Sequence, residues 1–176
     1  MIKGGVGGAN TKTGLHFEEE SDFLSLIKKQ EGYKVDKNQI YYKEKMVAMT
    51  FKKHELYRYL ESKGIDYKDH ISKRILPDDA IFVMANDTMY IIEIKFQHVA
   101  GSTDEKLQTC DFKIKQYRKL LSKLNLEVQY IYILNTWFEK SEYKDVLDYI
   151  ISIPGCFYYF EYLPLKKLGL PIPKEK

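Results

Sequence analysis

Apolar residues recur three and four apart in some stretches of the chain and alternate in others, and that change of period divides it into helices and strands. From about Leu15 to Gln30, the positions of Phe17, Phe23, Leu24 and Ile27 predict a helix, with Gly32 at its end. Residues 33–50 are mixed, and Gln39-Ile-Tyr-Tyr42 with Met46-Val-Ala-Met49 read as short strands paired around Lys43-Glu44-Lys45. Residues 52–63 look helical and stop at Gly64. Two apolar strands then flank Asn86-Asp87, a favoured two-residue hairpin turn. Gly101-Ser102 precedes a long helix over about 104–124, whose apolar stripe is Leu107, Cys110, Ile114, Tyr117, Leu121 and Leu124. Val128–Leu134 reads as a strand, a helix near 142–152 ends before Pro154-Gly155, and Phe157–Tyr162 is the last strand. Residues 1–14 form a glycine-rich N-terminal arm and 164–176 a Pro- and Lys-rich extended tail. With neither a repeat nor a linker, the pattern predicts a single domain over 1–176.

Two polar triplets disturb this pattern. Glu93 and Lys95 interrupt the apolar run Met89–Phe96, and Pro77-Asp78-Asp79 lies at the far end of the same hairpin. If Asn86-Asp87 is the turn, Ala85 pairs with Thr88, Ala80 with Glu93 and Asp78 with Lys95. Side chains alternate faces along a strand, so Asp78, Glu93 and Lys95 share one face. Asp79 falls on the other, with Ile81, Val83, Ile92, Ile94 and Phe96, and that apolar face is expected to pack on a helix. A three-residue loop would reverse the assignment. Two converging carboxylates repel unless a cation lies between them. Oxygen ligands suit a hard ion, Mg²⁺ with Mn²⁺ as a substitute, and the Ile94 carbonyl is a further candidate ligand. Lys95 is then placed to orient an attacking water or to stabilise a phosphorane, which points to metal-assisted phosphodiester hydrolysis. The plainer alternative is a surface hairpin with Lys95 paired to Asp78 or Glu93.

Composition narrows the setting. The chain has 176 residues, 44% hydrophobic and 14% aromatic, as expected of a folded protein with a core. A net charge of +3 is too small by itself to indicate a polyanion partner. Locally, residues 104–124 carry Lys106, Lys113, Lys115, Arg118, Lys119 and Lys123 against three acids, and Lys52-Lys53-His54 with Arg58 is a second basic patch suited to lining a groove. No membrane span or signal-peptide core is visible, and Cys110 and Cys156 match no metal or disulfide framework, so a cytoplasmic location is expected. The glycines at the start lack a phosphate-loop pattern. The four histidines have no metal-ligand spacing, and no His–Cys or Ser–His pairing suggests covalent catalysis.

Pro77-Asp78 followed by Glu93-x-Lys95, a crossover helix and another strand resembles the PD-(D/E)XK nuclease superfamily. Ile92–Gln97 with Gly101–Thr109, and the opening Gly7–Glu18, resemble stretches of its type II restriction endonucleases. The resemblance implies an α/β fold with an α-β-β-β-α-β core over about 15–135, a mixed central sheet flanked by helices. It also implies Mg²⁺-dependent, sequence-specific cleavage of double-stranded DNA to 5′-phosphate and 3′-hydroxyl ends. A homodimer on a palindromic site and a cognate DNA methyltransferase would accompany it. Carried onto this chain, the catalytic set is Glu18, Asp78, Glu93 and Lys95, with Asp78, Glu93 and Ile94 as metal ligands. Candidate DNA contacts are Lys12, Gln97, Ser102, Lys106, Gln108 and Lys113, with base-reading groups expected from residues 33–58 and the tail. The third acid stays open at the level of the residues. On a helical wheel Glu20 lies nearer the apolar face, whereas Glu18 sits with Asp22 and Ser25, and the motif position favours Glu18. A repair nuclease, junction resolvase or nickase of the same fold, or a non-catalytic DNA-binding module, are the competing readings.

Overall fold

The computed structural model describes residues 13–173. In chain order these form β1 (Gly14–His16), α1 (Phe23–Ile27), β2 (Tyr33–Asp36), β3 (Gln39–Tyr42), β4 (Lys45–Phe51), α2 (Glu55–Ser62), β5 (Asp79–Val83) and β6 (Thr88–Lys95). Then follow α3 (Thr103–Leu107), α4 (Cys110–Leu120), β7 (Glu127–Leu134), α5 (Lys144–Ser152), β8 (Cys156–Phe160) and β9 (Tyr162–Pro164). Strands β2 to β8 make one seven-stranded sheet in sequence order, while β1 and β9 pair separately. Pairing is antiparallel from β2 to β6 and parallel across β6, β7 and β8. The fold is thus mixed α/β, and α4 and α5 are the crossovers that parallel neighbours require.

Both faces of the sheet are covered, so β6 is buried over six successive residues rather than alternately. On one face Ala80, Met89, Ile91, Val128, Tyr130 and Tyr132 pack with Leu107, Cys110, Ile114, Tyr117 and Leu120, and with Leu56, Tyr57 and Leu60 of α2. On the other, Ile81, Val83, Tyr90, Ile92, Ile131 and Ile133 meet Phe17, Phe23, Leu26, Ile27, Leu163, Leu165 and Leu168. Each core residue adds roughly 1.5–3 kcal/mol of transfer free energy, so a single central sheet stapled on two faces is the economical arrangement.

Several expected elements are corrected. The helix over 15–30 shrinks to Phe23–Ile27, because Leu15 pairs with Leu163 as a strand and Glu18–Ser21 forms a turn through Ser21 N donating to Glu18 O at 2.9 Å. Asp22 then starts α1 by accepting from Ser25 N at 2.9 Å. Glu18 therefore sits in a turn and is not borne on a helix. The helix over 104–124 breaks at Gln108-Thr109, where the Lys106 carbonyl is taken by Thr109 Oγ1 at 2.7 Å and Tyr132 Oη at 3.1 Å. The tail is not extended throughout: residues 165–168 form a 3-10 turn that buries Leu165 and Leu168. The hairpin loop has four residues, not two, since Val83 pairs with Thr88. Asn86 is drawn out of the turn by donating from Nδ2 to Tyr90 Oη at 2.8 Å.

Candidate active site

The shift from a two-residue to a four-residue loop moves the register by two. Face assignments survive such a move because the side-chain period of a strand is two. Asp79 pairs with Ile92, so one step further Asp78 stands opposite Glu93 instead of opposite Lys95. Asp78 lies just before β5, while Glu93 and Lys95 end β6 beside Tyr132 and Leu134 of β7. The site is thus at the carboxyl end of the parallel strands.

Its geometry is centred on Lys95. The ammonium lies 3.0 Å from Glu93 Oε2, 3.5 Å from Asp78 Oδ2 and 3.4 Å from the Ile94 carbonyl. Asp78 Oδ2 is itself held by the Ile94 N–H at 3.1 Å. Glu93 is buried, its side chain 7% exposed, whereas Asp78 is 45% exposed and open to an incoming ligand. Burial alone would raise the Glu93 carboxyl, but the Lys95 and Lys113 charges and the hydrogen bonds from Lys113 outweigh it and hold the group below the usual carboxylate range. Lys113 donates from Nζ to both Glu93 oxygens, at 2.8 and 3.0 Å. The Tyr130 phenol is pushed up by burial and by the nearby Glu93 charge, so it stays protonated.

The two carboxylates and one carbonyl are all hard oxygen donors, a set that fits Mg²⁺ or Mn²⁺. Among the described residues no three His, Cys, Asp or Glu side chains gather into a metal-binding group. Glu18 and Glu20 are both exposed. In the same turn, Glu19 Oε2 lies 3.2 Å from His98 Nε2.

The candidate DNA contacts divide. Lys12 lies outside the described residues. Gln97 is buried beside the site, where Asn135 holds its backbone through Gln97 N at 3.2 Å and Gln97 O at 2.8 Å, and both its amide atoms lack a hydrogen-bond partner. Ser102, just before α3, and Lys106, in its last turn, are exposed. Gln108 instead lines a hollow with Asp145, Val146 and Tyr149 on the α5 side. Lys113 is turned inward onto Glu93 rather than outward to solvent with its neighbours on α4. A signal for this was present: three and four residues from Lys113 lie Cys110 and Tyr117, both of the buried stripe.

Asp79 fills the opposite face as parity required. It is 2% exposed, accepts from Phe23 N at 3.3 Å through Oδ2, and leaves Oδ1 without a partner. Burial pushes its carboxyl up to about 6, moderated by Lys52 and the Phe23 N–H. Asp79 thereby joins α1 to the hairpin that carries the site.

Compared with known proteins, the chain matches no family model, no curated protein and no solved structure.

Proposed function

We propose that this chain is a Mg²⁺-dependent, sequence-specific endonuclease of the type II restriction kind, hydrolysing double-stranded DNA to 5′-phosphate and 3′-hydroxyl ends. One observation carries the reading: Asp78 Oδ2, Glu93 Oε2 and the Ile94 carbonyl converge on a single cation, the Lys95 ammonium. Such a focus of oxygens favours positive charge, and the same three donors would hold the metal. The order α1, then β4-β5-β6, then α4 and β7 supports the α-β-β-β-α-β nuclease core, with the β2–β3 hairpin and α2 as additions.

Bound there, Mg²⁺ would act as a Lewis acid on the phosphoryl oxygen and raise the acidity of its water. The chain's own residues do the rest. Glu93 is kept ionised by Lys95 and Lys113, ready to ligate at neutral pH. Exposed Asp78 faces the phosphate, and Lys95 donates to the nucleophilic water or to the charge that develops on phosphorus. The Asn135 clasp holds the chain at Gln97 next to this cluster. A homodimer would provide the second centre needed to cut both strands of a palindrome, and a cognate methyltransferase would protect host DNA.

The test is digestion of supercoiled plasmid with Mg²⁺ and with EDTA. Discrete fragments with Mg²⁺ alone are expected, and Asp78→Asn or Lys95→Ala should each slow cleavage by about 100-fold or more. Cutting confined to branched or mismatched DNA would move the assignment to a repair nuclease of the same fold. A second reading, a non-catalytic DNA-binding module, is favoured by one feature: two carboxylates are already balanced by Lys95 and Lys113. DNA binding without cleavage in Mg²⁺ or Mn²⁺ would establish it.

A further inference from the structure

A groove of about 740 Å³ opens between α1, the β2–β3 turn, the end of β4 and α2. Four cations line it, Lys28, Lys37, Lys52 and Arg58, against the two acids Asp22 and Glu55. Both acids are engaged locally. Asp22 caps α1 and lies 3.3 Å from Lys52, and Glu55 Oε2 accepts from Lys52 N at 2.8 Å. Lys28 and Lys37 are exposed and form no ion pair among the described residues, and Arg58 reaches Glu55 only at 3.9 Å. The groove is therefore positive where it is open. Phe51 and Tyr59 form an aromatic part of its wall, their rings tilted by 32° with centres 4.6 Å apart. Residues next in sequence to its lining bond the segment that carries Asp78: Lys53 N donates to Pro77 O at 3.2 Å, and Phe23 N to Asp79 Oδ2 at 3.3 Å.

We infer that this groove holds the sugar-phosphate backbone of the DNA on one side of the bond to be cut. The exposed Lys28 and Lys37 heads beside the Phe51 and Tyr59 rings match a polyanion with alternating charged and less polar units, and such heads contact phosphates without reading sequence. The inference rests on the nuclease reading for its direction, since it runs the strand from Asp78 into the groove, but the binding itself is measurable without chemistry.

The experiment compares full-length wild type, Lys28→Gln/Lys37→Gln, and a control, Lys68→Gln/Lys144→Gln, whose lysines are exposed elsewhere. Fluorescence anisotropy with a labelled duplex is followed against salt in EDTA, where no metal-dependent cleavage occurs. Each lost phosphate contact should reduce the slope of log K against log salt by about 0.9, so the groove variant should lose about 2 and weaken by roughly tenfold or more at 0.1 M salt. An unchanged slope, a loss equalled by the control, or no duplex binding by wild type overturns the inference. So does a mononucleotide that binds wild type and not the variant while duplex binding stays the same. Wild-type cleavage with unshifted variant affinity removes the groove and leaves the nuclease. Groove-dependent binding without cleavage removes the nuclease and leaves the groove.

Discussion

Asp79 and Glu93 are buried carboxylates whose charges are treated oppositely, and pH separates them. Asp79 has its carboxyl raised from 3.8 to about 6 by burial, so the fold favours its protonated form. The associated stability is present below about pH 4 and lost as pH rises through about 6. Asp79→Asn keeps an acceptor for Phe23 N and should stabilise the protein by about 2 kcal/mol at pH 7.5 but by little at pH 4, as read by urea denaturation. Glu93 behaves in reverse. Its lowered carboxyl contributes stability above its ordinary titration range, lost as pH falls through the folded value. Lys113→Gln removes one of its two cations and should cost about 2 kcal/mol at pH 7, shrinking toward zero near pH 3. On the metal reading, the same substitution also frees a carboxylate and should tighten Ca²⁺ binding by calorimetry.

At the scale of elements, turns and caps set what the site can be. The β3–β4 turn places Lys43 and Glu44 at φ 47° and 64°, both left-handed, a conformation that two-residue hairpins favour and that Asn and Gly adopt more readily. Replacing the pair with Asn-Gly should raise stability by about 1 kcal/mol in chemical denaturation without moving the strands. Loss of stability there would mean that the two native side chains make contacts that outweigh backbone strain. The β5–β6 loop shows the opposite priority. Asn86-Asp87 has the composition of a tight turn, yet Asn86 is used to join Tyr90 and the Leu168 carbonyl, and the loop widens to four residues. The break between α3 and α4 has a similar origin in the Lys106 carbonyl.

For the whole molecule, the sheet has two unlike halves. Antiparallel β2–β6 bring Asp78 and Glu93 together locally, and the parallel half adds Lys113 from a crossover helix and Asn135 from the end of β7. Among the described residues there is a single cluster of this kind, which leads the nuclease reading to expect a dimer. Sedimentation should then give a mass near twice 20.8 kDa, alone or on a palindromic duplex. A monomer in both conditions would turn the assignment toward a nicking enzyme. Among the described residues no helix is long and apolar enough to cross a membrane.

Alternation along β5 and β6 was enough to put Asp78, Glu93 and Lys95 on one face and Asp79 on the other, and it tolerated a register error because two-residue shifts preserve parity. The strands at 39–42, 46–49 and 128–134 and the apolar stripe of α4 were legible for the same reason: local period reports which face is apolar. It does not report what covers that face. Leu15 became a strand because Leu163 was available to pair with it, and Lys113 turned inward because buried Glu93, 20 residues earlier, needed a second cation. Asp79 found its donor in Phe23, 56 residues away. These partners are distant in sequence, and only the assembled tertiary structure, where each buried charge or backbone group must be satisfied, decided them.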